Sequence, residues 1–231
     1  MKEQGKERNR MVKNIVFDFG GVIVLLDPEQ AMQRFESIGV TNAREQMNIF
    51  GQTGIFREVE DGTIDWKEFC HKLAVEVGRE EDFTFEEAQW AWLGYIKDKQ
   101  HEGGRATLAQ TMLQLKEKYN VCLLSNTNPF IQKWAQGEDF AKEVCPEYKG
   151  KLTMRDFFHT MYCSFEMGDY KPSESIFHKM LTDGNMKAEE TLFLDDSPRN
   201  IEAAERVGIK GMLIGREEDW QPRLKAYLEG E

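Results

Sequence analysis

Three short apolar runs along the chain each stop on polar groups: Asn14-Ile15-Val16-Phe17 on Asp18, Val121-Cys122-Leu123-Leu124 on Ser125-Asn126, and Thr191-Leu192-Phe193-Leu194 on Asp195-Asp196. Bounded apolar runs of this length predict buried strands. Met161–Phe165 and Gly211–Ile214 predict two more. Between them the spacing becomes helical: Leu108, Met112 and Leu115 lead into Val121, and helices are predicted over Ser173–Leu181 and Asn200–Val207. Strands alternating with helices predict an α/β fold, a doubly wound, Rossmann-like parallel sheet.

From Pro28 to His101 the pattern predicts helices and no strand. Asp27-Pro28-Glu29-Gln30 has Asp at the N-cap, Pro at N1 and Gln where a capping box needs it. Ala31, Met32, Phe35 and Ile38 keep helical spacing behind it. Similar starts stand at Asp65-Trp66-Lys67-Glu68, followed by Phe69, Leu73 and Val77, and at Thr84-Phe85-Glu86-Glu87, followed by Ala88, Trp92 and Tyr95. Trp90 and Trp92, two apart, cannot share one helix face. Gly103-Gly104 is read as the break that ends this stretch. The expected organisation is a disordered tail over 1–10, an α/β core made of 11–27 and 102–231, and a helical unit over 28–101 inserted after the first strand. Gln136–Lys151 is polar and has no readable period.

Composition narrows the classes. The 231 residues are 40% hydrophobic, with 15 Phe and 5 Trp, enough for a substantial core. A net charge of −11 argues against nucleic acid or an anionic membrane as partner, because either would repel the chain. Cys70, Cys122, Cys145 and Cys163 lie far apart without metal or redox spacing. No apolar run reaches the ~18 residues of a membrane helix. Met1–Arg10 is charged and lacks the apolar stretch of a signal peptide, and Met11 offers an alternative start. A cytoplasmic protein, monomeric in the simplest case, is expected. His71, His101, His159 and His178 form no triad or zinc pattern.

The chemistry lies at the strand ends. In an open parallel sheet ligands bind at the carboxyl ends of strands, so Asp18, Ser125, Asn126, Asp195 and Asp196 should converge. Carboxylates gathered with backbone carbonyls make a hard oxygen site suited to Mg²⁺. Ser125 and Asn126 offer a hydroxyl and backbone N–H groups to phosphate oxygens. Lys171-Pro172, ahead of a helix, can bring an ammonium to the same place.

Taken in order, Asp18, Ser125, Lys171 and Asp195-Asp196 resemble the four motifs of the haloacid dehalogenase superfamily, over Met11 to about Gly215. Phe-Asp-Phe-Gly-Gly-Val and Leu-Leu-Ser-Asn-Thr-Asn are most similar to its hexose-phosphatase-like branch, which includes α-glucose-1-phosphate phosphatases. The resemblance implies that the helical insert is a C1-type cap over the site. It also implies that Asp18 is the nucleophile and forms an aspartyl-phosphate. Lys171 and Ser125 would bind phosphate oxygens, with Asn126 and Phe19 as further substrate contacts. Mg²⁺ would be held by Asp18, the Gly20 carbonyl and Asp196. Asp195 would orient Lys171 or act on the metal through water, and Asn200 would lie behind the ligands. The implied activity is Mg²⁺-dependent hydrolysis of a small phosphorylated metabolite, in particular a sugar phosphate.

One position departs from the superfamily's phosphatases. Most carry Asp two residues after the nucleophile as general acid and base, a function worth ~10²–10⁴-fold in rate. Here that residue is Gly20. The hexose-phosphatase-like branch also shows glycine here, which favours a good leaving group, such as a sugar 1-phosphate, or another acid, with Asp27 as the first candidate. Asp27 is also the natural N-cap of the following helix. The rival readings are a C–halogen hydrolase using Asp18 on carbon, against which the Asp195-Asp196 pair speaks, and a catalytically weak phosphometabolite-binding protein.

Overall fold

The computed structural model describes residues 12–48, 51–98, 100 and 107–230. The Met1–Arg10 tail, His101 and the Gly103-Gly104 break lie outside the described residues. The strands, in chain order, are β1 (Asn14–Phe17), β2 (Met47–Asn48), β3 (Gly51–Gln52), β4 (Asn120–Ser125), β5 (Thr160–Cys163), β6 (Thr191–Asp195) and β7 (Lys210–Leu213). Five of them form a parallel sheet ordered β5-β4-β1-β6-β7.

The alternation of side chains along each strand explains why the runs are apolar throughout. Ile15, Phe17, Val121, Leu123, Leu192 and Leu194 belong to one hydrophobic cluster, and Val16, Cys122, Leu124 and Phe193 to another on the opposite face. The helices Leu108–Lys118 and Gln221–Glu229 cover the first face through Met112 and Leu224. Glu174–Asp183 and Pro198–Arg206 cover the second through Phe177 and Ala204. A sheet buried on both faces needs no polar alternation.

The three helix starts read between β1 and β4 are present. Asp27 caps Pro28–Ser37 by accepting from the Gln30 N–H at 3.1 Å, and Asp65 caps Trp66–Val77 by accepting from Glu68 N–H at 2.8 Å. Thr84 and Glu87 form a reciprocal capping box at the start of Phe85–Trp92. Trp92 is buried and Trp90 is 46% exposed, as their spacing requires. Phe35, Phe56, Phe69 and Trp92 pack edge to face or tilted, with neighbouring ring centroids 4.9 to 5.9 Å apart. Each such ring contributes about 1.5–3 kcal/mol by burial. Phe69 and Phe85 continue the stack onto Phe130, at 5.5 and 4.7 Å, and so join the insert to the sheet's apolar face.

The insert is not wholly helical. β2 and β3 pair antiparallel, Met47 with Gln52 and Asn48 with Gly51, a ladder too short to leave a period in the sequence. The predicted strand Met161–Phe165 also stops early. Ser164 turns into a short helix, Ser164–Met167, because its hydroxyl donates to the Glu60 carbonyl and accepts from the Thr127 N–H, and Gly168 closes the turn at φ 58°. Inside the unreadable Gln136–Lys151 stretch lies the helix Asp139–Val144, pinned by Phe140 against Trp134 at 5.5 Å.

Candidate active site

Register brings the strand-end residues together. Phe17 pairs with Leu123 on one side and Leu194 on the other, so the next residues, Asp18 and Asp195, emerge side by side. The Asp18 N–H donates to the Leu194 carbonyl at 2.8 Å, which fixes the turn off β1. β1 is central, and the chain crosses to β4 on one side and later to β6 on the other. This is the switch point where such sheets open a crevice.

Lys171 reaches into that crevice. Its Nζ lies 2.8 Å from Asp18 Oδ1 and 2.7 Å from Asp195 Oδ2. Asn126 lines the crevice, and its side chain holds the Lys171 backbone: Oδ1 accepts from Lys171 N–H at 2.9 Å and Nδ2 donates to the Lys171 carbonyl at 3.0 Å. Asp195 is equally committed. The Ser197 N–H donates to Oδ1 at 2.8 Å, and Asn200 Nδ2 sits 3.0 Å from both oxygens. Asp195 therefore anchors the ammonium, while Asp18 and Asp196 keep oxygens turned to the crevice. Ser125 lines the same space, with its hydroxyl 3.4 Å from the Asn126 carbonyl. Phe19 borders it too, but its ring stacks on Phe140 and its carbonyl accepts from the Ile23 and Val24 N–H groups.

The charges are unbalanced in a way that suits a divalent cation. Carboxylate oxygens of Asp18, Asp195 and Asp196 all lie within 4.8 Å of one another, against the single ammonium of Lys171. The Asp18 carboxyl is raised to about 8: burial is the largest cause, Lys171 opposes it, and Asp195 and Asp196 add to the rise. Asp196, though open to the crevice, is raised to about 6 by desolvation and by Asp195. Carboxylates crowded until they resist ionising are a site short of positive charge, and hard oxygen donors match Mg²⁺. The loop is shaped for this approach. Gly21 has φ 73°, and a Cβ there would strike the Asp196 carboxylate. At Gly20 a Cβ would fall 2.8 Å from Leu26 Cδ1, so a side chain there would require the end of that leucine to shift.

The crevice opens into a cavity of ≈ 600 Å³ roofed by the insert, which contributes Gln52, Glu60, Trp92, Tyr95 and Ile96. Asp27 is not in this wall; it is occupied as a helix cap. Glu60 escaped the sequence reading. It ends the helix Gly54–Glu60 and is 6% exposed, with Tyr170 Oη donating to Oε2 at 2.9 Å and Asn128 Nδ2 3.4 Å from Oε1. A signal was present: Glu60 lies four residues after Phe56 and next to Val59, which puts a carboxylate on an apolar helix face.

Known proteins resemble this chain in sequence and fold. Residues 12–208 match the model of the haloacid dehalogenase-like hydrolases. The chain is 37% identical over 218 residues to a D-ribitol-5-phosphate phosphatase of Bacteroides thetaiotaomicron, covering 94% of this chain and 99% of that one. It superposes with a TM-score of 0.82 on a HAD-like hydrolase from Porphyromonas gingivalis, at 35% identity over 94% of this chain and 98% of the other. A HAD family enzyme of B. thetaiotaomicron, solved with magnesium and inorganic phosphate, gives 0.75 at 32% identity, over 90% and 97% of the two chains. A solved dehalogenase, 16% identical with a TM-score of 0.51, shares the fold alone. The chain belongs to the haloacid dehalogenase-like hydrolases.

Proposed function

We propose that Asp18 is the nucleophile with which this Mg²⁺-dependent phosphatase hydrolyses a small sugar or polyol phosphate. The observation that carries the reading is the buried Lys171 ammonium, 2.8 Å from Asp18 Oδ1 and fixed from behind by Asp195. A carboxylate and a phosphate dianion repel each other, and a pre-aligned cation between them lowers that barrier without reorganising during the reaction. Asp18 attacks phosphorus in line, the bond to the leaving oxygen breaks, and water then hydrolyses the aspartyl-phosphate to restore Asp18 and release inorganic phosphate. Lys171 and the Ser125 hydroxyl bind the phosphoryl oxygens. Asp18, Asp196 and the Gly20 carbonyl would hold Mg²⁺, which would supply neutralisation of the negative charge that gathers at this site.

The insert, residues 28–101, acts as the cap that reads the organic part of the substrate over a core of 11–27 and 102–231. Its cavity wall sets the Trp92 and Tyr95 rings beside the polar ends of Gln52 and Glu60, a mixture suited to a hydroxylated carbon chain. Together with the relative that acts on D-ribitol 5-phosphate, this favours a phosphorylated polyol or sugar of similar size. A panel of phosphorylated metabolites at fixed Mg²⁺, with EDTA as control, tests the reading. Phosphate release that EDTA and Asp18→Asn both abolish is expected. Halide release from haloacids without metal, and no phosphate release, would overturn it.

A further inference from the structure

We propose that Glu60 is the general acid and base of this enzyme, filling from the cap the role that position 20 leaves empty. The inference rests on the phosphatase reading above and deepens it. A polyol phosphate leaves as an alkoxide, a poor leaving group that needs a proton as its bond to phosphorus breaks. Among the described residues, the carboxylates lining the cavity are those of Asp18, Glu60, Asp196 and Glu217. Asp18 and Asp196 face the phosphate and the metal. Glu217 is exposed at the rim and paired with Lys97 at 2.7 Å. Glu60 remains, buried, in the roof that covers the substrate's organic part.

Its placement is fixed by the same loops that build the site. Tyr170, which donates to Oε2, immediately precedes Lys171, and Asn128, beside Oε1, closes the loop that begins at Ser125. The Ser164 hydroxyl donates to the Glu60 backbone carbonyl, which ties the end of the cap helix to the core. Each carboxyl oxygen thus has one protein neighbour and a second lone pair free for a substrate or water hydroxyl. The charged and titratable groups around it are Arg57, stacked over the Tyr170 ring at 3.5 Å and paired with Asp61 at 3.0 Å, then Asp61 itself, Tyr170 and Tyr95. Burial outweighs the pull of Tyr170, Asn128 and Arg57 and lifts the carboxyl to about 7, so both protonation states are populated near neutrality. In the first half-reaction the Glu60 carboxyl gives its proton to the leaving oxygen as the Asp18–phosphorus bond forms. In the second, the Glu60 carboxylate takes a proton from the water that attacks phosphorus, Asp18 departs, and the acid is regenerated.

The test is single-turnover release of the leaving group by the full chain with Mg²⁺, using D-ribitol 5-phosphate and p-nitrophenyl phosphate. Glu60→Gln keeps the shape and the backbone tie to Ser164 but moves no proton. Alcohol release from the alkyl ester should fall ~10²–10⁴-fold while p-nitrophenolate, which leaves without a proton, is released within about fivefold of the unmodified rate. A purely structural Glu60 would slow both esters equally, and that result overturns the assignment alone. Inactivity of the unmodified enzyme on both esters would overturn the phosphatase reading and this assignment with it. A second variant keeps the test independent of how Glu60→Gln folds. Tyr170→Phe removes a hydrogen bond that favours the Glu60 carboxylate, so the limb where alkyl-ester cleavage falls with rising pH should move to higher pH. An unmoved limb counts against Glu60.

Discussion

Lys171 and Asp195 form an ion pair of 2.7 Å whose side chains are 1% and 0% exposed. Asp195 is itself held by the Ser197 amide and Asn200, so the ammonium is aimed at Asp18 before any substrate arrives. Removing one partner of a buried pair leaves the other charge uncompensated, at a cost of about 3–5 kcal/mol. Lys171→Met should therefore abolish turnover and lower the stability of the metal-free protein at pH 8 by that order. Asp195→Asn leaves the Asp18 contact in place, so it should cost less stability and reduce kcat more than it raises KM. Urea unfolding in EDTA, beside steady-state kinetics, checks both. A Lys171→Met protein as stable as the original would show that the pair is not structural.

Gly21 gives Asp196 its approach to the site. The positive φ of Gly21 and the collision a Cβ would make with that carboxylate mean that Gly21→Ala must displace Asp196 or the loop. We expect a loss of about 1–3 kcal/mol in stability from the strained backbone and a clear weakening of Mg²⁺ binding. Asp196→Ala should abolish the tight site without destabilising the metal-free fold, because it relieves crowding with Asp18 and Asp195. Calorimetric titration with Mg²⁺ alone reads both without any substrate. Unchanged affinity in Asp196→Ala would remove Asp196 from the site.

The cap's selectivity should reside in its polar wall. Gln52 Nε2 donates to Tyr95 Oη at 2.8 Å, and the Tyr95 ring stacks on Trp92 at 5.9 Å. Losing one hydrogen bond to a substrate hydroxyl costs about 1–2 kcal/mol, or roughly 5–30-fold in kcat/KM. Tyr95→Phe and Gln52→Ala should shift natural substrates by that factor and leave p-nitrophenyl phosphate nearly unchanged. If all substrates shift alike, the cap does not select.

What the sequence disclosed follows from the range of the interactions involved. The three strand-end motifs, the Asp27, Asp65 and Thr84 caps and the split between Trp90 and Trp92 are local patterns, and the structure contains them. The parallel sheet followed from strand and helix alternation. What stayed hidden is set by tertiary contact. β2 and β3 are too short to carry a period, and Ser164 ends its strand because of partners 37 and 104 residues away. Asn126 and Asp195 could be placed at the site, but their commitment to Lys171 is a matter of side-chain direction. Glu60 is the sharpest case. Its charge on an apolar helix face was visible, yet only packing against Tyr170 and Asn128 turns that anomaly into a cavity group.

Stability should also report the metal site through pH. The folded-state pKa values of Asp18 and Asp196 are raised, to about 8 and about 6, from an ordinary value of 3.8. A carboxyl with a raised pKa binds its proton more tightly in the folded state, so its contribution is full below the unfolded value and is lost as pH rises through the folded one. For this pair the window runs from about 4 to about 8, and Glu60, raised to about 7, adds to it in the same direction. In EDTA, Tm should therefore fall across this window. Mg²⁺ binds the ionised carboxylates of the folded state, so its stabilising effect should grow with pH, small near pH 5 and largest near pH 8. Scanning Tm with and without Mg²⁺ at each pH separates the two curves. In Asp18→Asn combined with Asp196→Asn the Mg²⁺ increment should vanish, and the fall in EDTA should shrink to what Glu60 and the rest of the chain supply. A Mg²⁺ increment that is independent of pH would mean that the cation binds elsewhere than at these two carboxylates.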